Sequence, residues 1–355
     1  MTPRTVTFLA VATAVAVGAA TVSLNIERGY APQATNELVF PGLIDKVNEV
    51  TKIAVDHKDG KIVVVRNADG TWTVPASDNF PANVAQAQKV ILQLAGMRLF
   101  EAKTAQKDLY NRLHLEELNI KGTQARRVRL FGAKDTPLAE LIVGKKKYNL
   151  PGPITEGAYV RKPSDPQTWL AKGEITVDPE VKAWLRKSIL NIREEDVAAI
   201  EIRHPGGEIV KITKENPTAR HFTLHGVPEG KRVKYQSDPD NVANVVEDLE
   251  LVDVRKEGHI EFAADKTIEG TYTSRSGLIA HLSLIKMGED SWVKVRVEAK
   301  PDALAPTKKG EETAQQVAKR LSDQLTGWVF KIPDFKASRL SRGMADMAVD
   351  KKAGS

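Results

Sequence analysis

The chain has 355 residues, 41% of them hydrophobic and 28% charged, with a formal net charge of +6. That profile belongs to a folded body and excludes a wholly disordered chain or a multi-span membrane protein. There are no cysteines, which excludes disulfides, cysteine-ligated zinc, thiol catalysis and a lipid-modified N-terminal cysteine; aromatics at 6% give little basis for a base-stacking nucleic-acid platform.

Residues 5–24 read TVTFLAVATAVAVGAATVSL and hold no charged side chain. At roughly 1.5 Å per residue a helix there would be about 30 Å long, the thickness of the hydrocarbon core of a bilayer. Arg4 precedes the stretch, and the positive-inside rule then keeps the N-terminus cytoplasmic and exports the rest. Cleavage as a signal peptide is the competing reading, with Val17-Gly18-Ala19 as the small-residue site. The expectation is a single-pass inner-membrane protein with a transmembrane helix in residues 1–24, a linker over 25–37 and a periplasmic body.

The body carries an internal repeat. Ile53, Val55 and His57, followed by Gly60, match Ile200, Ile202 and His204, followed by Gly207. The apolar alternation predicts half-buried strands, and each glycine marks a turn into a second strand, over 61–65 and 208–212. Pro81-Ala-Asn-Val84 and Pro239-Asp-Asn-Val242 each open a helix, where a missing N–H loses no partner. Val84, Ala87, Ile91 and Leu94 stripe the first helix; Val242, Val245, Val246 and Leu249 stripe the second. An insertion falls around residues 214–236 of the second copy. Tyr159-Val160-Arg161 answers Trp292-Val293-Lys294, and a closing helix with a tryptophan, Trp184 or Trp328, ends each copy. Asp178 caps the first closing helix, while Val317, Leu321 and Leu325 stripe the second.

The expected fold class is therefore α+β: an N-terminal transmembrane helix followed by two tandem related domains, 38–190 and 191–340, with antiparallel sheets covered by helices. Residues 341–355 are expected to form a frayed tail.

No residue pattern completes a catalytic, cofactor or metal site. His57 and His204 occupy equivalent repeat positions, which points to structure. His221 and His225 would share one strand face, without a carboxylate at ligand spacing. His114 and Glu117 lack the second histidine of a zinc-protease helix, and the remaining histidines, His259 and His281, fall in no motif. Gly144-Lys145-Lys146-Lys147 lacks the earlier glycine and the hydroxyl residue of a phosphate loop. Glu194-Glu195-Asp196 reads as a solvated loop, and no nucleic-acid motif is present.

Several segments resemble the bacterial domain of unknown function 4340 family over about residues 38–340. They are Leu38-Val-Phe40-Pro41-Gly42-Leu43, Val50-Thr-Lys-Ile53, Gly70-Thr-Trp72-Thr-Val74, Phe80-Pro81-Ala-Asn83-Val84, and Leu141-Ile-Val-Gly144-Lys145 leading to Ala158-Tyr159-Val160-Arg161. The resemblance implies a membrane-anchored periplasmic protein accompanying ABC-type transport systems related to gliding motility, and it brings no catalytic residues. The resulting expectation is a non-enzymatic accessory subunit of an ABC-type export or envelope-remodelling complex, acting as a scaffold or substrate-handling surface. Its partners would be permease and ATPase subunits and, through the N-terminal helix, the membrane. The alternative is a stand-alone binding module for a polymeric or lipid-linked envelope substrate.

Overall fold

The computed structural model describes residues 35–303 and 311–351. They fall into two compact units: residues 35–72 and 84–181 form unit 1, residues 73–83 and 182 onward form unit 2.

Unit 1 contains β1 (Lys52–His57), β2 (Gly60–Arg66), α1 (Val84–Gly96), β3 (Arg98–Ala102), β4 (Arg126–Phe131), β5 (Pro137–Lys147), β6 (Gly157–Arg161) and β7 (Thr168–Lys172). These strands run in the order β2-β1-β4-β5-β6-β7-β3, every pairing antiparallel. Alternation sets the inner face: Ile53, Val55, Val128, Leu130 and Leu141 are all buried. Helix α1 buries Ala87, Val90, Ile91 and Leu94 at helical spacing. Val84, expected in that stripe, is exposed at the first helical position. The free edge of β3 is closed by the preceding chain. Val39 N–H donates to the Met97 carbonyl (2.9 Å), Leu99 N–H to Glu37 (2.8 Å) and Thr35 N–H to Phe100 (3.2 Å).

Unit 2 contains β8 (Val197–Arg203), β9 (Ile209–Thr213), β10 (Thr223–His225), α2 (Ser237–Ala243), β11 (Asp253–Lys256), β12 (Ile268–Ser274), β13 (Leu278–Met287), β14 (Asp290–Ala299), α3 (Ala314–Leu325), β15 (Trp328–Lys331) and α4 (Asp334–Leu340). Its sheet order is β10-β9-β8-β12-β13-β14-β15-β11. Without β10, this is the order of unit 1 with each strand replaced by its counterpart in the chain. The register agrees. Ile53 pairs Leu130, which pairs Ala139; Ile200 pairs Tyr272, which pairs Ala280. The two units share one antiparallel sheet topology. Their order along the chain is interrupted in one place, because residues 73–83 belong to unit 2. There Phe80 stands edge-on to Trp328, ring centroids 4.9 Å apart, and to Phe330 at 6.1 Å.

Of the two expected closing helices only the second is found, as α3, and its tryptophan lies beyond its end. Trp184 ends a single 3-10 turn, Val181–Trp184, and Trp328 begins β15. Backbone bonding explains the first: the Trp184 carbonyl accepts from Asn83 N–H, and Arg186 N–H donates to Pro81, so no helical ladder can continue. Gly327 explains the second. At φ +83° it takes the left-handed step that ends α3, and the chain resumes as a strand. The strand of unit 1 equivalent to β15 is β7, whose tryptophan is Trp169. Over its described residues, 341–351, the tail is not frayed either. Met344–Met347 form a helical turn and Ala348–Asp350 pair with Lys231–Val233, anchored by buried Met347 and Ala348. Glu208 caps the turn by accepting Met344 N–H at 2.7 Å.

The membrane-anchored fold class is also corrected. Among the described residues no helix is long and apolar enough to cross a membrane, and residues 5–24 lie outside them. The fold class is an α+β chain of antiparallel sheets with covering helices. The single-pass inner-membrane topology, the periplasmic placement and the membrane contact rested on that span, and the described residues give them no support.

Candidate functional site

The two copies differ most in what covers the outer faces of their sheets. In unit 1 the long connection 103–125 lies over β5 and β6. It packs Tyr110, Leu113, Leu115 and Leu118 against Ile142 and Tyr159. Arg161, buried within, donates to the Leu115 carbonyl and to Glu117 at 2.5 Å, and its guanidinium stacks on Tyr110 at 4.7 Å. In unit 2 the shorter connection 257–267 supplies Ile260 and Phe262. They cover Trp292, the counterpart of Tyr159, together with Ile285 and Val329. The remainder of that face stays open.

The uncovered face forms a cleft of about 680 Å³, lined by Glu269, His281, Ser283, Lys294, Arg296 and Glu298, with Ser322 and Thr326 at the end of α3. Strand register places these side chains. On β12 and β13 the even positions Tyr272, Ala280 and Leu282 point to the core, so odd-numbered Glu269, Thr271, His281 and Ser283 point outward; on β14 the parity is reversed, with Val293, Val295 and Val297 inward and Lys294, Arg296 and Glu298 outward. Ser283 Oγ donates to Glu269 Oε2 at 2.7 Å. His281 links two neighbours, with Nδ1 3.2 Å from Thr271 Oγ1 and Nε2 3.1 Å from Glu298 Oε1. Lys294 and Arg296 lie 3.6 and 3.9 Å from Glu257, partly exposed pairs that contribute little to stability.

The line Thr271–His281–Glu298 has the composition of a hydroxyl, imidazole and carboxylate relay. Its three members stand on three adjacent strands, and β13 is paired along both edges, so its N–H groups serve the ladder. An oxyanion needs N–H donors aimed at it, which such a ladder does not offer. What the cleft does offer is alternating acidic, basic and hydroxyl groups held by cross-strand contacts. Lys294, Arg296 and His281 are its groups able to take an anion; Glu269 and Glu298 are its acceptors. Among the described residues no group of three or more His, Asp or Glu side chains is disposed to hold a metal.

The residues that the sequence singled out are scattered. His57 accepts Asp59 N–H at 3.3 Å, whereas His204 Nε2 lies 3.3 Å from the Arg342 carbonyl, so the equivalent histidines have different partners. His221 pairs with Asp240 at 2.7 Å and His225 with Thr213 at 2.7 Å; only the second lies on a strand. His114, in left-handed backbone at φ 57°, is held below the usual imidazole range by burial and then by Lys145. Lys145, Lys146 and Lys147 end β5 on the surface. Glu194 opens the turn before β8 3.7 Å from Lys214, and burial raises its carboxyl. His281 escaped notice because its partners lie on other strands. Only the alternation in 278–284 pointed to its outward face.

The family comparison matches the model described as "Domain of unknown function (DUF4340)" to residues 72–268. The chain belongs to the DUF4340 family. The match is narrower than the 38–340 expected. It takes in most of unit 1 and the first strands of unit 2, and ends one residue before Glu269 of the cleft. No curated protein and no solved structure matches the chain. Permease and ATPase partners therefore have no support from any relative, and that expectation is withdrawn together with the membrane contact.

Proposed function

We propose that this DUF4340 chain is a non-enzymatic scaffold or substrate-handling component of a larger assembly. The open cleft on β12–β14 is its recognition surface, and the ligand is a polar segment carrying both acidic and basic groups. One observation carries the reading: of two sheets with the same topology, one leaves part of its outer face uncovered, and that face sets Glu269 and Glu298 beside Lys294, Arg296 and His281 in an open volume of about 680 Å³. Side-by-side opposite charges favour a partner of matched polarity and penalise a wrong one, so they act chiefly on specificity and encounter rate.

The test compares variants of the tagged full chain for the amount of partner that co-purifies. Lys294→Glu with Arg296→Glu is expected to weaken capture at least about tenfold, while His225→Ala, on β10, leaves it unchanged. Equal capture by the charge-reversed protein would remove the cleft from the account. Complete loss of biological function from His281→Gln alone, with partner capture and folding intact, would replace recognition by chemistry at the Thr271–His281–Glu298 line.

A further inference from the structure

A second cleft lies in unit 1, and its construction differs. It has a volume of about 600 Å³ and is lined by Thr35, Asn36, Arg98, Phe100, Pro153, Ile154 and Lys172. Arg98 on β3 and Lys172 on β7 are direct cross-strand partners. Like charges placed opposite each other destabilise a sheet, and among the described residues neither cation is offset by a carboxylate. Arg98 donates to the Asn36 carbonyl at 2.8 Å, and Lys172 donates to the Pro151 carbonyl. Both partners are neutral.

Cations on an edge strand commonly serve to block strand addition. That purpose is already met at β3, whose free edge is occupied by backbone bonds from Thr35, Glu37 and Val39. Nor does Lys172 extend freely into solvent: its ammonium lies over the Phe100 ring, 4.0 Å from the centroid. Ile154 is 39% exposed on the loop that forms the opposite wall. Two cations on paired strands, without a carboxylate partner among the described residues, therefore line a cleft whose other surfaces are Thr35, Asn36, Phe100, Pro153 and Ile154.

We infer that this cleft binds an amphipathic anion, a phosphate or carboxylate head seated between Arg98 and Lys172 with a short apolar chain along Phe100 and Ile154. A planar guanidinium can take two oxygens of such a head, and an ammonium adds a third charge-assisted bond. The apolar walls give the tail its share of the binding energy. The head group is recognised by its charge and oxygens, so a phosphoryl and a carboxyl head differ only in strength.

The experiment is calorimetric titration of the full chain with octyl phosphate, inorganic phosphate and octyl glucoside, each below its aggregation concentration. Saturable one-to-one binding of octyl phosphate is expected, at least about tenfold tighter than inorganic phosphate, with no binding of the neutral glucoside. Arg98→Gln with Lys172→Met should weaken octyl phosphate at least about tenfold while the melting temperature stays level or rises, since a like-charge contact is relieved. Ile154→Asp, on an exposed loop, serves if that double variant fails to fold, and should weaken binding to a similar degree. Equal affinity for octyl phosphate and octyl glucoside would overturn the inference, because the cations would be idle. Equal affinity for octyl phosphate and inorganic phosphate would overturn it as well, because the apolar wall would be idle. So would unchanged binding in the variants.

Discussion

Phe80→Ala tests the assignment of residues 73–83 to the core of unit 2. Phe80 is 1% exposed, with Trp328 and Phe330 edge-on to it and the Arg186 guanidinium 5.7 Å from its ring. Truncating a buried phenylalanine removes its transfer energy and leaves a cavity, together about 3–5 kcal/mol. The edge-to-face geometry adds a pairwise part of about 0.5–1.5 kcal/mol. Denaturant unfolding of the wild type, Phe80→Ala, Trp328→Ala and the double variant measures both quantities. The expected single-variant loss is about 4 kcal/mol, with a coupling of about 1 kcal/mol between the two rings. A loss under about 1 kcal/mol, or strictly additive variants, would refute the packing described for residues 73–83.

Three further outcomes follow from particular contacts. Gly144→Ala should destabilise by about 1–3 kcal/mol in thermal or denaturant unfolding, because a Cβ there collides with the carbonyl oxygens of Leu113 and His114; an unchanged midpoint would contradict that close approach. Lys336→Met should destabilise by about 2–4 kcal/mol, since Lys336, 5% exposed, donates to the Asn244 and Glu247 carbonyls and to Asn244 Oδ1, which would be left without it; Lys336→Arg should recover part of the loss. Glu194 has a raised folded pKa, chiefly from burial, so the native state binds more protons than the unfolded state once pH exceeds the unfolded value. Its contribution is full below the unfolded pKa and is lost as pH rises through the folded pKa. The stability of wild type minus that of Glu194→Gln should accordingly fall as pH rises above the ordinary glutamate value of 4.5, and a difference that rises instead would reverse the assignment.

The repeat was legible because burying one sheet face imposes a period of two, and Ile53, Val55, Ile200 and Ile202 display it in both copies. Helix α1 was legible for the same reason at a period of 3.6, apart from Val84, which a stripe count cannot tell from a first-turn residue facing solvent. The tryptophans misled because large rings in matched order say that a core is near, not which element holds them. At Trp184 backbone bonds from Asn83 and to Pro81 decide, and at Trp328 a left-handed Gly327 decides. The 348–350 strand was illegible because its partner, Lys231–Val233, is remote in sequence and supplies few apolar residues. Both clefts were hidden in the same way. Thr271, His281 and Glu298 meet only through the pairing of three strands, and Arg98 meets Lys172 only through the return of β7 to β3. Alternation assigns a face, whereas register assigns neighbours, and register depends on turns and connections whose lengths carry no readable partner.

The recognition reading is tested most directly by a photo-reactive amino acid placed at Thr326, on the rim of the β12–β14 cleft, with a control at Thr218 on an exposed loop of the same unit. Irradiation of cells making the full chain, followed by mass analysis of the adducts, reports what occupies each position. The account predicts one discrete adduct at Thr326 that disappears when Lys294 and Arg296 are both changed to glutamate, and none of that species at Thr218. An adduct of equal yield at both positions, or one at Thr326 that survives the charge reversal, would contradict it.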